Sequence, residues 1–307
     1  MDNIAAGGLH LVEAGDPAWC TGGMSSTGGA PLGRVAVFGD LGGQAAELAH
    51  QLAILGADPR TLSLPDDLTV VQVGDLVHRG PDSPGVVAIV DRVMAGQPAQ
   101  WVQLAGNHEV LYLGLPQFVW PERLPEAAQE TLDRWWTAGA MRAAAVIEVH
   151  GAAVPTLVTH AGLTQGFWRH YLGMPATAVE TAAALNRMAG TGQQRWLFRP
   201  GVMVTDSVDL AAGPLWASSP DELIPSWREA ALPAPFDQIH GHSSLLDWTT
   251  GRHYGDPDRV GPFSTDPVLR HTTSTVEGRR ITGIDPNHGR RPAPTWGPLV
   301  LERARVL

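Results

Sequence analysis

Val35-Ala36-Val37-Phe38-Gly39-Asp40 decides the reading of this chain, because the pattern returns as Val70-Val71-Gln72-Val73-Gly74-Asp75. Each copy is a run of β-branched and apolar residues, as a strand covered on both faces requires. The glycine permits a sharp turn where the strand ends. The aspartate is then held at the strand's carboxyl end, where open α/β sheets place their ligand sites. A varied third copy, Trp101-Val102-Gln103-Leu104-Ala105-Gly106-Asn107-His108-Glu109, delivers Asn107, His108 and Glu109 in the same way.

Working outward, Ala45, Leu48, Leu52 and Leu55 fall at helical spacing between the first two strands, and Pro84 to Ala95 reads as a second helix stopped by Gly96. This βαβαβ alternation predicts an α/β fold with a largely parallel central sheet and right-handed crossovers. Helical pieces are expected at Leu111–Trp120 and Pro125–Met141, and strands at Ala144–Val149, Val154–Thr159 and Phe236–His240. The tail alternates at Thr272–Val276, Arg279–Ile284 and Pro298–Glu302, which predicts antiparallel strands closing a second sheet. Residues 1–33 are Gly- and Ser-rich and read as a loose N-terminal arm; residues 34–307 form the folded domain. Residues 165–235, rich in Trp and Pro, read as a helical insertion that caps the sheet.

At 307 residues and 44% apolar content the chain can bury a large core. A net charge of -10 argues against nucleic-acid binding, which needs a basic surface. All 21 basic residues are Arg, which excludes a Walker-type phosphate loop and Schiff-base chemistry. The single Cys20 forms no internal disulfide, which fits a reducing, cytoplasmic setting. No secretory leader and no membrane span are expected from the hydropathy pattern.

The polar residues at strand ends are Asp40, Asp75, Asn107, His108, His160 and His242. Carboxylates, one amide oxygen and imidazoles form a mixed O/N set suited to Mn, Fe or Zn. Two metals sharing a carboxylate clamp both sides of a phosphoryl displacement, and an imidazole left free can protonate the leaving oxygen. Arg79, just past the second strand, offers a bidentate fork to phosphate.

In order along the chain stand Gly39-Asp40-Leu41-Gly42-Gly43-Gln44, Gly74-Asp75-Leu76-Val77-His78-Arg79-Gly80, Gly106-Asn107-His108-Glu109, His160-Ala161-Gly162 and Gly241-His242. Together they resemble the five motifs of the calcineurin-like metallophosphoesterases. The branch they resemble is the phosphoprotein phosphatase type, with bacterial relatives that hydrolyse phosphoproteins or diadenosine tetraphosphate. The likeness runs from Arg34 to Asp285. It implies a four-layer fold, two central mixed β-sheets flanked by helices, with the metal site at strand carboxyl ends. It implies a phosphoesterase that attacks phosphorus with metal-bound hydroxide, using two divalent ions, Mn foremost with Fe or Zn as alternatives. The substrate would be a phosphorylated protein or small molecule.

Carried over residue by residue, the resemblance makes Asp40 a ligand of the first metal and Asp75 the bridge. Asn107, His160 and His242 hold the second metal, His108 is the general acid, Arg79 holds phosphate, and Glu109 positions the Asn-His pair. Two positions depart from the pattern. Gly42 stands where the family has a His ligand of the first metal, and His78 where it has the Asp that orients the acid. His78 is thus a catalytic candidate, either as a replacement ligand or as a partner of His108. The departures also support a rival reading, a degenerate phosphatase that binds a phosphate ligand or a protein with little turnover. The family's further phosphate-binding Arg has Arg187, Arg195 and Arg199 as candidates. His240 reads as packed beside the site. His10, His50, His150, His170, His253, His271 and His288 read as surface or structural, and Asp285 as a turn former.

Overall fold

The computed structural model describes residues 32–114, 118–230 and 232–307. The arm read at residues 1–33 therefore lies almost wholly outside the described residues.

Strands β1 (Gly33–Phe38), β2 (Leu68–Gln72), β3 (Trp101–Leu104) and β4 (Met141–Arg142) pair in parallel. Helices α1 (Ala45–Ile54) and α2 (Ser83–Gly96) make the crossovers, and α3 (Glu126–Thr137) packs on α2. Helix α2 starts as its sequence requires: the Asp82 carboxylate accepts from Gly85 N at 2.8 Å, and proline occupies the first turn. The other half holds β5 (Ala144–Val149), β6 (Thr156–Thr159), β7 (Asp237–His240), β8 (Phe263–Asp266), β9 (His271–Val276), β10 (Arg279–Gly283) and β11 (Leu299–Val306). Within it β6, β7 and β10 run parallel to one another, while β8, β9 and β10 form an antiparallel meander.

The two expected sheets are hydrogen-bonded into one ladder, β4-β3-β2-β1-β11-β5-β6-β7-β10-β9-β8. The joint is β11. It pairs with β1 through Leu299 to Leu301 and again at Ala304, and with β5 through Ala304 to Val306. Arg303, at φ 51°, lies at the irregularity in the β1 register between Leu301 and Ala304. The ladder's strands alternate between two cores. Val35, Val37, Val71, Val73 and Leu104 meet Ala145, Ile147, Val158, Ile239 and Ile284 in one buried cluster between the halves. Ala36, Phe38 and Val70 point the other way, into a larger cluster with Leu48 and Leu52 of α1 and Val86 and Val90 of α2. The layering is thus helix, strand, strand, helix, a mixed α/β fold with a large mixed sheet flanked by helices.

Other differences are local. The helix expected at Leu111–Trp120 is a single turn, Glu109–Tyr112, and residues 115–117 lie outside the described residues. The short strands β4 and β8 carry no alternation long enough to read. Residues 165–235 contain α4 (Gln165–His170), α5 (Ala178–Ala189) and the short helices Gln194–Leu197, Val202–Thr205 and Ile224–Ala230. Among the described residues no helix is long and apolar enough to cross a membrane.

Candidate active site

Two sets of parallel strands end on one rim, three strands from each half. β1, β2 and β3 deliver Asp40, Asp75 and Asn107-His108. β6 and β7 deliver His160 and His242, and β10 delivers Asp285. Lateral backbone bonds fix the strand ends: Gly241 N donates to His160 O at 2.8 Å, and Ile284 N to His240 O at 2.8 Å. The turns after β2 and β3 touch backbone to backbone, which explains their glycines. A Cβ on Gly74 (φ 108°) would lie 2.4 Å from Gly106 N, and one on Gly106 would lie 2.2 Å from Asp75 N. Glu109 holds the same turns, accepting from Asp75 N, Leu76 N and Gly106 N at 2.8, 2.9 and 2.8 Å.

The sequence-predicted metal ligands converge. Asp75, His160 and His242 present ligand atoms all within 4.8 Å of one another, and all three are buried. Asn107 Oδ1 lies 2.9 Å from His160 Nε2 and 2.9 Å from His242 Nδ1. His160 Nδ1–H donates to Val73 O at 3.0 Å, so its Nε2 carries a lone pair. That lone pair faces Asn107 Oδ1 and, at 3.4 Å, Asp75 Oδ1. Acceptors turned on acceptors need a cation between them. With the Asn107 amide reversed, its nitrogen would face both imidazoles at 2.9 Å and Asp75 Oδ1 and Oδ2 at 3.3 and 3.2 Å, with two protons to share among four acceptors. The donor set therefore fits a divalent ion. Asp40 is tied in through its Oδ1, which accepts from His242 N at 2.9 Å.

Electrostatics say the same. Burial pushes Asp75 up to about 7, against the bond from His108 N and the charge of Arg79. Burial, then Asp285 and Asp75, raise Asp40 well above the usual carboxylate range. Burial pushes His160 down to about 3 and His242 well below its ordinary value. Without a cation the site resists charge of either sign; a bound cation would favour ionised carboxylates and keep its imidazole ligands neutral.

His108 stands beside this cluster, its N–H donating to Asp75 Oδ1 at 3.0 Å and its Nε2 4.0 Å from Asp75 Oδ2. Its Nδ1 lies 2.6 Å from His78 Nδ1, and His78 Nε2 lies 2.7 Å from the Tyr112 hydroxyl. The hydroxyl oxygen accepts from Leu124 N at 3.3 Å. Assigning protons so that each has an acceptor, Tyr112 O–H donates to His78 Nε2 and His78 Nδ1–H donates to His108 Nδ1. His108 then carries its proton on Nε2, toward the metal cluster. Both ring nitrogens of His78 are in use, and the structure places it behind His108 rather than at the gap left by Gly42. Exposed Arg79 lines the rim cavity, and its guanidinium carbon lies 5.8 Å from the centre of the Trp120 ring. Phe118, Trp120 and Trp216 wall the site, Trp216 edge-on to His242 with ring centres 6.0 Å apart.

A family profile described as Calcineurin-like phosphoesterase matches residues 33–270. The chain belongs to that family. The calcineurin-like phosphoesterases are hydrolases of phosphoric esters that work with two metal ions, and the chain is such a metallophosphoesterase. Curated protein sequences give no match. Among solved structures, the cold-active protein-tyrosine phosphatase of a psychrophilic Shewanella is 12% identical, with 88% of this chain and 76% of that chain covered and a TM-score of 0.50. A serine/threonine phosphatase from Saccharomyces cerevisiae, similar to human phosphatase PP5, is 14% identical over 84% of this chain and 69% of that one, TM-score 0.48. A metallophosphoesterase from Sphaerobacter thermophilus is 16% identical over 81% and 75%, TM-score 0.31. At such identities the Shewanella likeness speaks to the fold alone.

Seen as a calcineurin-like phosphoesterase, the chain brings Asp75, Asn107, His160 and His242 together and carries Gly42 and His78 where its motifs depart from the family pattern. Arg187, Arg195 and Arg199 are not among the described residues that line the rim cavity. Arg199 pairs with Asp209 at 2.6 Å, and Arg195 stacks on Trp196. His240 is packed, with Nδ1 2.8 Å from Gly241 O. Sequence reasoning set aside Asp285 and His288. Asp285 does form a turn, accepting from Asn287 N at 2.7 Å, yet it also lines the rim cavity with His288. The one available signal was that Asp285, like Asp40 and Asp75, directly follows a strand.

Proposed function

We propose that this protein hydrolyses phosphate esters, of a phosphoprotein or of a nucleotide or other small molecule, in one step at phosphorus and without a covalent intermediate. The observation that carries this reading is the convergence of Asp75, Asn107, His160 and His242 beside a His108 whose Nε2–H faces the same point. Asp75 serves both metal positions, Asp40 the first, and Asn107, His160 and His242 the second. We assign Mn to the site because its donors mix carboxylate, amide and imidazole. When bound, the ions supply an ionised water-derived nucleophile at neutral pH and neutralise charge on the phosphoryl group. His108 Nε2–H is placed to protonate the leaving oxygen, and Arg79 offers two parallel N–H bonds to phosphate. The rival reading, a binding module with little turnover, rests on Gly42 and His78. The bond from His78 to His108 weighs against it, since it keeps the acid in its working tautomer.

The test is hydrolysis of p-nitrophenyl phosphate, phosphopeptides and diadenosine tetraphosphate by metal-stripped protein with and without Mn. Asp75→Asn should lose metal and nearly all activity, with a rate down by about 10³ or more. His108→Ala should lose activity and keep metal. Arg79→Ala should lower kcat/KM by about 10- to 100-fold, because a charge-assisted bidentate bond is lost. A wild-type protein that binds Mn and hydrolyses none of the three substrates would favour the binding module.

A further inference from the structure

The two halves of the molecule offer the rim three parallel strand ends each, and five of the six carry residues of the family motifs. The sixth is the end of β10. It was expected as an antiparallel tail strand, yet it pairs in parallel with β7, Ile281 to Gln238 and Gly283 to His240. The residues that follow it, Ile284 and Asp285, therefore reach the rim as His160 and His242 do. Gly39 permits this approach: a Cβ there would lie 2.1 Å from Ile284 O. Asp285 arrives beside Asp40, and the family profile ends before it, at residue 270.

A small cavity of about 10 Å³, room for one water or ion, is lined by Asp40, Gly42, Asp75, Arg79, Asp285 and His288. Three buried carboxylates thus share one cavity with one guanidinium. Asp285 itself is held above the usual range, first by burial, and it raises both Asp40 and Asp75. A separate observation also calls for an occupant. His288 is 2% exposed, and its Nδ1 accepts from Ala293 N at 2.9 Å, so the ring proton sits on Nε2. That Nε2 is buried and has no hydrogen-bond partner among the described residues. Its Cβ lies 3.7 Å from where a Gly42 Cβ would be, on the side from which the missing imidazole departed.

We propose that Asp285 replaces the missing histidine as a ligand of the first metal, giving that position an all-carboxylate protein set of Asp40, Asp75 and Asp285. His288 Nε2–H then serves as a donor to oxygen atoms around the ion. This rests on the metallophosphoesterase reading above. An all-oxygen set favours hard cations, so the first position selects Mn or Mg over Zn, whereas the second, with two imidazoles, accepts Zn.

Calorimetric titration of metal-stripped protein with Mn, and separately with Zn, tests this without reference to activity. Asp285→Asn keeps an oxygen to accept from Asn287 N, so the turn survives. Wild-type protein should bind two Mn. Asp285→Asn should keep the tighter equivalent and weaken the other by about 10-fold or more. Asn107→Ala should do the reverse. Metal-free Asp285→Asn should melt no lower than wild type, because a ligand carboxylate without its cation is a source of repulsion. His288→Gln should weaken the same equivalent as Asp285→Asn, by less. Two Mn equivalents unchanged in Asp285→Asn would overturn the proposal, as would a metal-free variant less stable than wild type, which would make the carboxylate structural. A single wild-type equivalent that Asp285→Asn leaves alone overturns the proposal and spares the functional reading. No Mn bound by wild type overturns both.

Discussion

His108 shows how one changed residue alters the chemistry while keeping the geometry. A carboxylate behind a general-acid histidine stabilises the imidazolium; a neutral imidazole fixes only the tautomer. Burial, then Arg79, push His108 down to about 3, and burial, then His108, push His78 down to about 3, so the pair stays neutral at physiological pH in the metal-free protein. The proposed acid, His108 Nε2–H, is therefore neutral, oriented by His78 and Tyr112. Substituting Tyr112→Phe or His78→Phe should lower kcat by about 10- to 100-fold with little change in KM, as for other residues that orient a reacting group. The loss should be larger for an alkyl phosphate than for p-nitrophenyl phosphate, whose leaving oxygen hardly needs a proton. Equal losses on both substrates would show that the line from Tyr112 does not act through His108. At this scale the sequence was most legible where a residue sits inside a motif. Asp40, Asp75, Asn107, His160 and His242 were all readable as strand-end residues with a glycine within two positions. Asp285 and His288 were not, because nothing in Ile284-Asp285-Pro286 says that its strand runs parallel to β7. Tyr112 was hidden for a similar reason: its hydroxyl matters only through contact with His78.

Elements are held to the rim by buried carboxylates as well as by strands. Glu222 in the 165–235 insertion is buried, and it accepts from Val202 N and Asp209 N with one oxygen and from Ser218 N with the other, each at 2.8 Å. The neighbouring Ser219 N donates to Ser243 Oγ at 2.9 Å, one residue after His242. Glu222 thus gathers three loop segments behind the wall that Trp216 presents to His242. Glu222→Ala leaves three amides without that acceptor. At about 1–3 kcal/mol for each that stays buried, this should be among the most destabilising single changes in the insertion. Limited proteolysis should cut between Arg199 and Trp216 sooner in the variant, while Glu222→Gln should recover part of the protection. Unchanged cleavage would mean that the segments are held by packing alone. Elements built on long apolar runs were legible; β1, β2, α1 and α2 sit within two residues of their expected bounds. The joining of the sheets was not, because β11 pairs with both β1 and β5 and neither partner is encoded in its own alternation.

At the scale of the whole molecule, the rim makes stability a function of pH and metal together. Asp75 ordinarily ionises near 3.8 and does so at about 7 in the metal-free fold. Between those values the folded protein binds more protons than the unfolded chain. The contribution is therefore complete below 3.8 and is lost as pH rises through 7. The buried His78, His108 and His160 act in the opposite sense. Their ordinary value is 6.5 and their folded value about 3, so their contribution is present above 6.5 and lost as pH falls. Glu109, pushed up to about 8 by burial and then by Asp75, joins the carboxylate side, which governs once the unfolded histidines have lost their protons, and the melting temperature of metal-free protein should fall between about pH 7.5 and pH 8.5. A cation needs Asp75 ionised, so Mn affinity should rise about tenfold per pH unit up to 7 and level off above it. Mn at about 100 times its dissociation constant adds about 2.7 kcal/mol, and this gain should grow across the same interval. Melting curves with a chelator and with Mn, taken at several pH values, give both quantities. The two sets should diverge as pH rises, with Asp75→Asn removing the divergence. Parallel curves would show that protons and metal do not compete at Asp75.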